Sequence, residues 1–237
     1  MRALDDALDL MASGRRAIVV VEGEAGIGKS RLLGEVLDRA RTRRFEVASG
    51  QGEELERARP FGLVADAFGC VPTSRDPRRR AIAGLLAVHG GDEERPITVT
   101  SDSGLQFRAV DAFVDLAEDA ALRAPLLIGL DNLQWADPSS VLTIAALARG
   151  LADLPVGIVG CFRPLPYASS LQQLTAVLDG AGASRLKLGP LADAAVTAGP
   201  VHRPARTPER ARRRSRGRSG RRGAGAGPAG SDGPGRR

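Results

Sequence analysis

The residues best suited to chemistry form one short run, Gly23-Glu24-Ala25-Gly26-Ile27-Gly28-Lys29-Ser30-Arg31. Gly23, Gly28, Lys29 and Ser30 fit the spacing G-x-x-x-x-G-K-[ST], a phosphate-binding loop. Glycines let successive backbone N–H groups curl round an anion with no Cβ in the way. Lys29 brings a full positive charge to the end of that curl and is expected to reach β- and γ-phosphates. The Ser30 hydroxyl is the hard oxygen ligand that Mg²⁺ prefers, so it is expected to hold that ion.

Such a loop works only between a strand and a helix, and both are written around it. Ile18 to Val21 are β-branched and apolar without alternation, which suits a parallel strand buried on both faces. Leu32, Leu33, Val36, Leu37 and Ala40 then recur at helical spacing. The helix start adds unpaired N–H donors and partial positive charge next to the loop. Further along, the spacing predicts helices over 3–13, 61–69, 77–90 and 168–180, and strands over 17–22, 45–49, 126–130, 156–162 and 185–188. Residues 90–104 read as a loop. Ser103 and Gln106 form a capping-box pattern, after which Phe107, Val110, Val114, Ala117 and Ala121 trace one helix face. Strands alternating with helices indicate an α/β fold with a parallel sheet.

A second chemical feature closes the strand Leu126–Leu130. Asp131 would emerge at the sheet's carboxyl edge and hold Mg²⁺ directly or through water. Asn132 follows it. An amide can hydrogen-bond an attacking water but cannot accept its proton. Asn132 therefore either orients that water or only orients the loop, and both readings predict weak turnover. Asp137 before Pro138 reads first as a helix cap and second as a substitute acid. Arg163 ends the next strand. It is expected either to meet the γ-phosphate or to be a surface arginine before a turn made by Pro164 and Pro166. Trp135 reads as a packing anchor.

Charge is divided unevenly along the 237 residues. Residues 199–237 hold twelve arginines against Glu209 and Asp232, whereas residues 1–198 hold 22 basic and 26 acidic groups. The basic character of the chain therefore belongs to its end, and a whole-chain inference of nucleic-acid binding is unsafe. That end lacks Leu, Ile, Met and aromatics, so it is expected to be a disordered tail. No apolar run approaches the roughly 20 residues of a membrane span. Cys70 and Cys161 have no metal-ligand spacing and read as buried free thiols in a reducing cytoplasm.

In order and spacing, GEAGIGKSRLL, GEELERARPFGLVADAF, LLIGLDNLQWADPSS, VGIVGCFRP and LKLGPLADAAV resemble a known module. Residues 1–198 look like the N-terminal ATPase domain of large ATP-binding LuxR-type transcriptional regulators, of the AAA+/STAND group. The resemblance implies a P-loop NTPase sandwich of three layers. The Asp131 strand and the Gly23 strand would be neighbours, or would be separated by the Arg163 strand. It implies that Gly23–Ser30 grip ATP, that Asp131 is the Mg²⁺ acid, and that Arg163 senses phosphate. Asn132 and Gln134 stand where members usually carry an acid and a histidine, which puts fast hydrolysis in doubt. Members use the nucleotide state to control an oligomerising switch, so self-association through this domain is implied. They also carry a lid, a sensor and a DNA-binding region downstream, which this sequence does not show. Residues from about 199 on are accordingly expected to be out of frame or to mark a truncated gene.

Three functions compete on this reading. One is a nucleotide-binding, slowly hydrolysing switch module of a bacterial regulator, with no specific DNA binding of its own. A second is a stand-alone ATPase or kinase-like enzyme, but no separate nucleophile or acid–base constellation is visible. The third is a non-specific nucleic-acid binder acting through the arginine tail, which lacks aromatics for stacking.

Overall fold

The computed structural model describes residues 2–89, 99–164 and 169–189. The expected disordered tail, 199–237, lies outside the described residues. In chain order the elements are α1 (Arg2–Ala12), β1 (Ala17–Gly23), α2 (Lys29–Thr42), β2 (Glu46–Gln51), α3 (Gly62–Phe68), α4 (Pro77–His89), α5 (Val99–Arg123), β3 (Leu126–Asp131), α6 (Pro138–Gly150), β4 (Val156–Phe162), α7 (Ser169–Gly180) and β5 (Ser184–Leu188).

The five strands form one sheet in the order β2-β3-β4-β1-β5, and every pairing is parallel. β4, the strand leading to Arg163, lies between β1 and β3. Of the two arrangements left open by the sequence, the motif strands are therefore the separated pair. Side chains alternate between the two faces of each strand. Val19, Val21, Leu127, Val159 and Cys161 pack with Leu4, Leu8, Met11, Leu33, Val36 and Leu37 of α1 and α2. Ile18, Val20, Ile128, Leu130, Ile158 and Phe162 pack with the core that α3, α5, α6 and α7 supply, including Phe61, Phe113, Ile144 and Leu174. Helices on both faces of a parallel sheet explain why β1, β3 and β4 carry apolar runs rather than alternating patterns. The result is an α/β P-loop NTPase sandwich.

Gly129 marks how tightly α2 is pressed onto β3. A Cβ there would stand 2.7 Å from Cδ2 of Leu37 and 3.1 Å from Cδ1 of Leu33. That packing fixes α2, and therefore the loop that precedes it, over the carboxyl half of the sheet.

Two expectations need correction. α5 begins at Val99, so residues 99–104 are helical and Ser103 is inside the helix rather than its cap. The Gln106 side chain reaches α6 instead: its Nε2 donates to Oγ of Ser139 at 3.2 Å. The buried face of α5 is Ala109, Val110, Phe113, Leu116, Ala117, Ala120 and Ala121, and Phe107 is 60% exposed. At 3.6 residues per turn, Phe107 lies roughly 110° from the centre of that stripe. The expected face had followed its edge.

Candidate functional site

The loop between β1 and α2 is built by backbone conformation more than by side chains. Gly26 (φ 76°) and Gly28 (φ 100°) are both left-handed. An L residue is strained there, which is the physical demand behind the two glycines. A Cβ on either would have no heavy atom within 4 Å, so the ground above the loop is open. Gly23 is needed for another reason: a Cβ would come within 2.9 Å of Cγ2 of Ile27 and 3.2 Å of Leu188 O.

The first N–H of α2 with a backbone acceptor is that of Leu32, which donates to Gly28 O at 2.9 Å. The N–H groups of Gly28, Lys29, Ser30 and Arg31 find no backbone acceptor among the described residues, and no side chain caps the helix. These donors, with the helix dipole behind them, suit an anion. Lys29 is 6% exposed. Its Nζ donates to Gly23 O and to Glu24 O, each at 2.8 Å. A buried ammonium is therefore held beneath the loop by two of its carbonyls. Glu24, Ala25, Ser30 and Arg31 are exposed, and Ile27 is half-buried.

The sheet brings the other motif residues to the same edge. Leu130 is level with Gly160, and Cys161 with Val21. Asp131 thus lies level with Cys161, one strand away, and β1 is the next strand on. Asp131 falls on the α2 face, as Leu127 and Gly129 do. The Cys161 thiol reports both charged groups. Its pKa is pushed up to about 12, chiefly by burial, with the Asp131 carboxylate adding to the rise and the Lys29 ammonium opposing it. Lys29, bonded to Gly23 O two residues past Val21, and Asp131, level with Cys161, thus lie at the same carboxyl edge of the sheet. Asp131 is 6% exposed and its Oδ1 accepts the N–H of Asn132 at 2.8 Å.

Asn132 is left-handed (φ 53°), a conformation asparagine tolerates better than most residues. Its Oδ1 accepts from Nε2 of Gln134 at 3.3 Å, and Oε1 of Gln134 accepts the Arg163 N–H at 3.3 Å. Gln134 thus bridges the ends of β3 and β4, a role with no signal in sequence beyond its place after a strand. The Arg163 guanidinium is half-buried at this edge and makes no hydrogen bond or ion pair among the described residues.

Asp137 does not share that setting. It is 3% exposed, and its Oδ1 accepts both the Ser140 N–H at 2.9 Å and the Phe61 N–H at 2.8 Å. The cap reading of Asp137 holds, with both N–H bonds on Oδ1. Trp135 is half-buried. Cys70 and Cys161 are free, buried thiols. Burial likewise raises Cys70 to about 12.

A family model described as an AAA ATPase domain matches residues 1–159. The chain belongs to that family. An uncharacterized protein of Rhizobium meliloti (strain 1021) is 28% identical over 202 residues, covering 77% of this chain. This chain spans only 19% of that relative's length. Among solved structures, the ORC2 protein of Aeropyrum pernix, in ADPNP–ADP complexes, aligns over 79% of this chain and 46% of its own, at 15% identity and TM-score 0.46. AMPPCP-bound DnaA of Aquifex aeolicus covers 79% of this chain and 44% of its own, at 15% identity and TM-score 0.44.

The metal ligands read from sequence fit one kind of ion. Among the described residues no group of three or more His, Cys, Asp or Glu is placed to hold a metal by itself. One buried carboxylate and one hydroxyl suit Mg²⁺, which keeps waters and shares its ligands with phosphates. No helix among the described residues is long and apolar enough to cross a membrane.

Proposed function

We propose that this AAA ATPase domain binds ATP·Mg²⁺ across the carboxyl edge of its sheet and hydrolyses it slowly, as the switch module of a bacterial signal-transduction or transcriptional regulator. The observation that carries the reading is that Lys29, tied to Gly23 O and Glu24 O after β1, and Asp131, at the end of β3, both sit at the carboxyl edge of one parallel sheet, below a loop whose Gly28 to Arg31 N–H groups have no acceptor among the described residues. On this reading, Gly23 to Arg31 hold the phosphates through backbone N–H groups and Lys29 neutralises the β- and γ-phosphates. Ser30 and Asp131 would hold Mg²⁺, which supplies positive charge against the phosphate oxygens when bound. Arg163, unpaired among the described residues and held at its N–H by Gln134, is the residue to feel a γ-phosphate.

Asn132 does not itself supply a proton acceptor. Its amide accepts no proton, and its Oδ1 is already engaged by Gln134. Its role on this reading is to shape the end of β3. A module that binds tightly and turns over slowly is suited to holding a state, and a chain spanning 19% of its relative's length matches one part of a larger machine. Self-association belongs to the same proposal.

Calorimetric titration of the full chain with ATP, with and without Mg²⁺, tests the reading. Saturable binding that tightens when Mg²⁺ is present is expected. Absence of binding at millimolar ATP would overturn it.

A further inference from the structure

The neighbouring strand supplies what Asn132 lacks. β2 runs beside β3 in the register Ser49↔Gly129, Gly50↔Leu130 and Gln51↔Asp131. The pairing extends one residue further, since the Gly52 N–H donates to Asp131 O at 2.9 Å. Faces alternate along β2. A Cβ on Gly50 would meet Leu63 O and Ala67 of α3, and one on Gly52 would meet Asn132 O and Cβ of Trp135. The even positions therefore face α3 and the tip of β3. Ser49 and Gln51 face the α2 side, with Asp131. Glu53 is extended (φ −120°, ψ 134°), so the alternation carries on and places it two residues beyond Gln51 on the Asp131 side.

Glu53 then stands past the carboxyl end of the sheet, about one strand spacing (~4.8 Å) to the side of the Asp131–Asn132 corner. It is exposed and makes no ion pair or hydrogen bond through its side chain among the described residues. Its acidic neighbours differ. Glu56 is paired with Arg59 at 3.2 Å. Glu54 opens the short 3₁₀ turn Glu54–Glu56, where the chain leaves the strand.

We propose that Glu53 is the general base of this site. The inference rests on the nucleotide reading above. As the oxygen of a water bonds to the γ-phosphorus, one of its protons passes to the Glu53 carboxylate. The bond from that phosphorus to the β,γ-bridging oxygen breaks, and its electron pair leaves with ADP. The proton is then released to phosphate or solvent. In this arrangement Asp131 keeps its charge for the metal, and the proton acceptor comes from β2 instead of from position 132.

The test is phosphate release from labelled ATP by the full chain, read beside ATP·Mg²⁺ affinity by calorimetry and the identity of the nucleotide recovered from the protein. Glu53→Gln is expected to lower phosphate release by about 10²- to 10⁴-fold. Affinity should stay close to that of the unaltered chain, and the recovered nucleotide should be ATP rather than ADP. Glu54→Gln should release phosphate at the unaltered rate. Release by Glu53→Gln at the unaltered rate would overturn the proposal. So would an unaltered chain that binds ATP and never releases phosphate. An unaltered chain that does not bind ATP would overturn the nucleotide site itself, and Glu53's role with it.

Discussion

Replacing Asp137 by alanine separates the stabilising acids of this domain from those of the site. Oδ1 of Asp137 accepts two N–H groups, that of Ser140 in the first turn of α6 and that of Phe61 ahead of α3. Ser140 and Phe61 are both fully buried, so neither N–H can turn to water. Loss of the cap costs about 1 kcal/mol. Stranding the Phe61 N–H costs about 1–3 kcal/mol more. Phe61 is also left-handed, at φ 59°, and its ring lies against Phe113 with centroids 6.0 Å apart. A strained backbone persists only where its surroundings hold it, and the Asp137 bond is part of that hold. Together these give a loss of about 3 kcal/mol, or roughly 6–12 °C in the unfolding temperature for a domain of this size. Thermal and urea denaturation measure the loss, and ATP affinity of the folded variant should be unchanged. An unaltered unfolding temperature combined with abolished phosphate release would refute the reasoning and make Asp137 the missing acid.

Two more outcomes follow from the same geometry. Asn132→Asp should change phosphate release by less than about threefold, because Glu53 already accepts the proton; a large gain in a steady-state assay would put the limitation at position 132. The Cys161 thiol keeps its proton in the fold from its usual value of 9.0 up to about 12, whereas the unfolded chain loses it near 9.0. Its contribution to stability is therefore complete below about pH 9 and declines towards about pH 12, with a slope on the order of 1.4 kcal/mol per pH unit. Urea midpoints followed over that range should fall less steeply in Cys161→Ala, and an equal slope would count against the buried neutral thiol.

The elements that carry the site were legible where burial on both faces leaves a continuous apolar run. Ile18–Val21, Leu126–Leu130 and Val156–Phe162 each became a strand within a residue or two of the expected bounds. The start of α5 was not legible, because Thr100, Ser101, Asp102, Ser103 and Gly104 carry no apolar period to read. Strand order was open for a different reason. Neighbours in a parallel sheet are joined by crossovers, and nothing local in β3 says that β4 will come between it and β1. Contacts across many residues were likewise out of reach: Asp137 to Phe61 spans 76 positions, and Gln134 to Arg163 spans 29. Glu53 is not legible in the sequence, because its only signal there is an acid after a strand with little apolar character. Its place beside Asp131 exists only once β2 is paired with β3.

The central claim is that a curl of main-chain N–H groups and one buried ammonium hold a triphosphate opposite Asp131. Calorimetric titration of ATP·Mg²⁺ into the full chain and into Lys29→Ala tests it most directly, with the unfolding temperature of each taken alongside. Removing the charge-assisted contact should weaken binding by about 2–3 kcal/mol, roughly 30- to 150-fold. Equal affinities in two folded proteins would contradict the account.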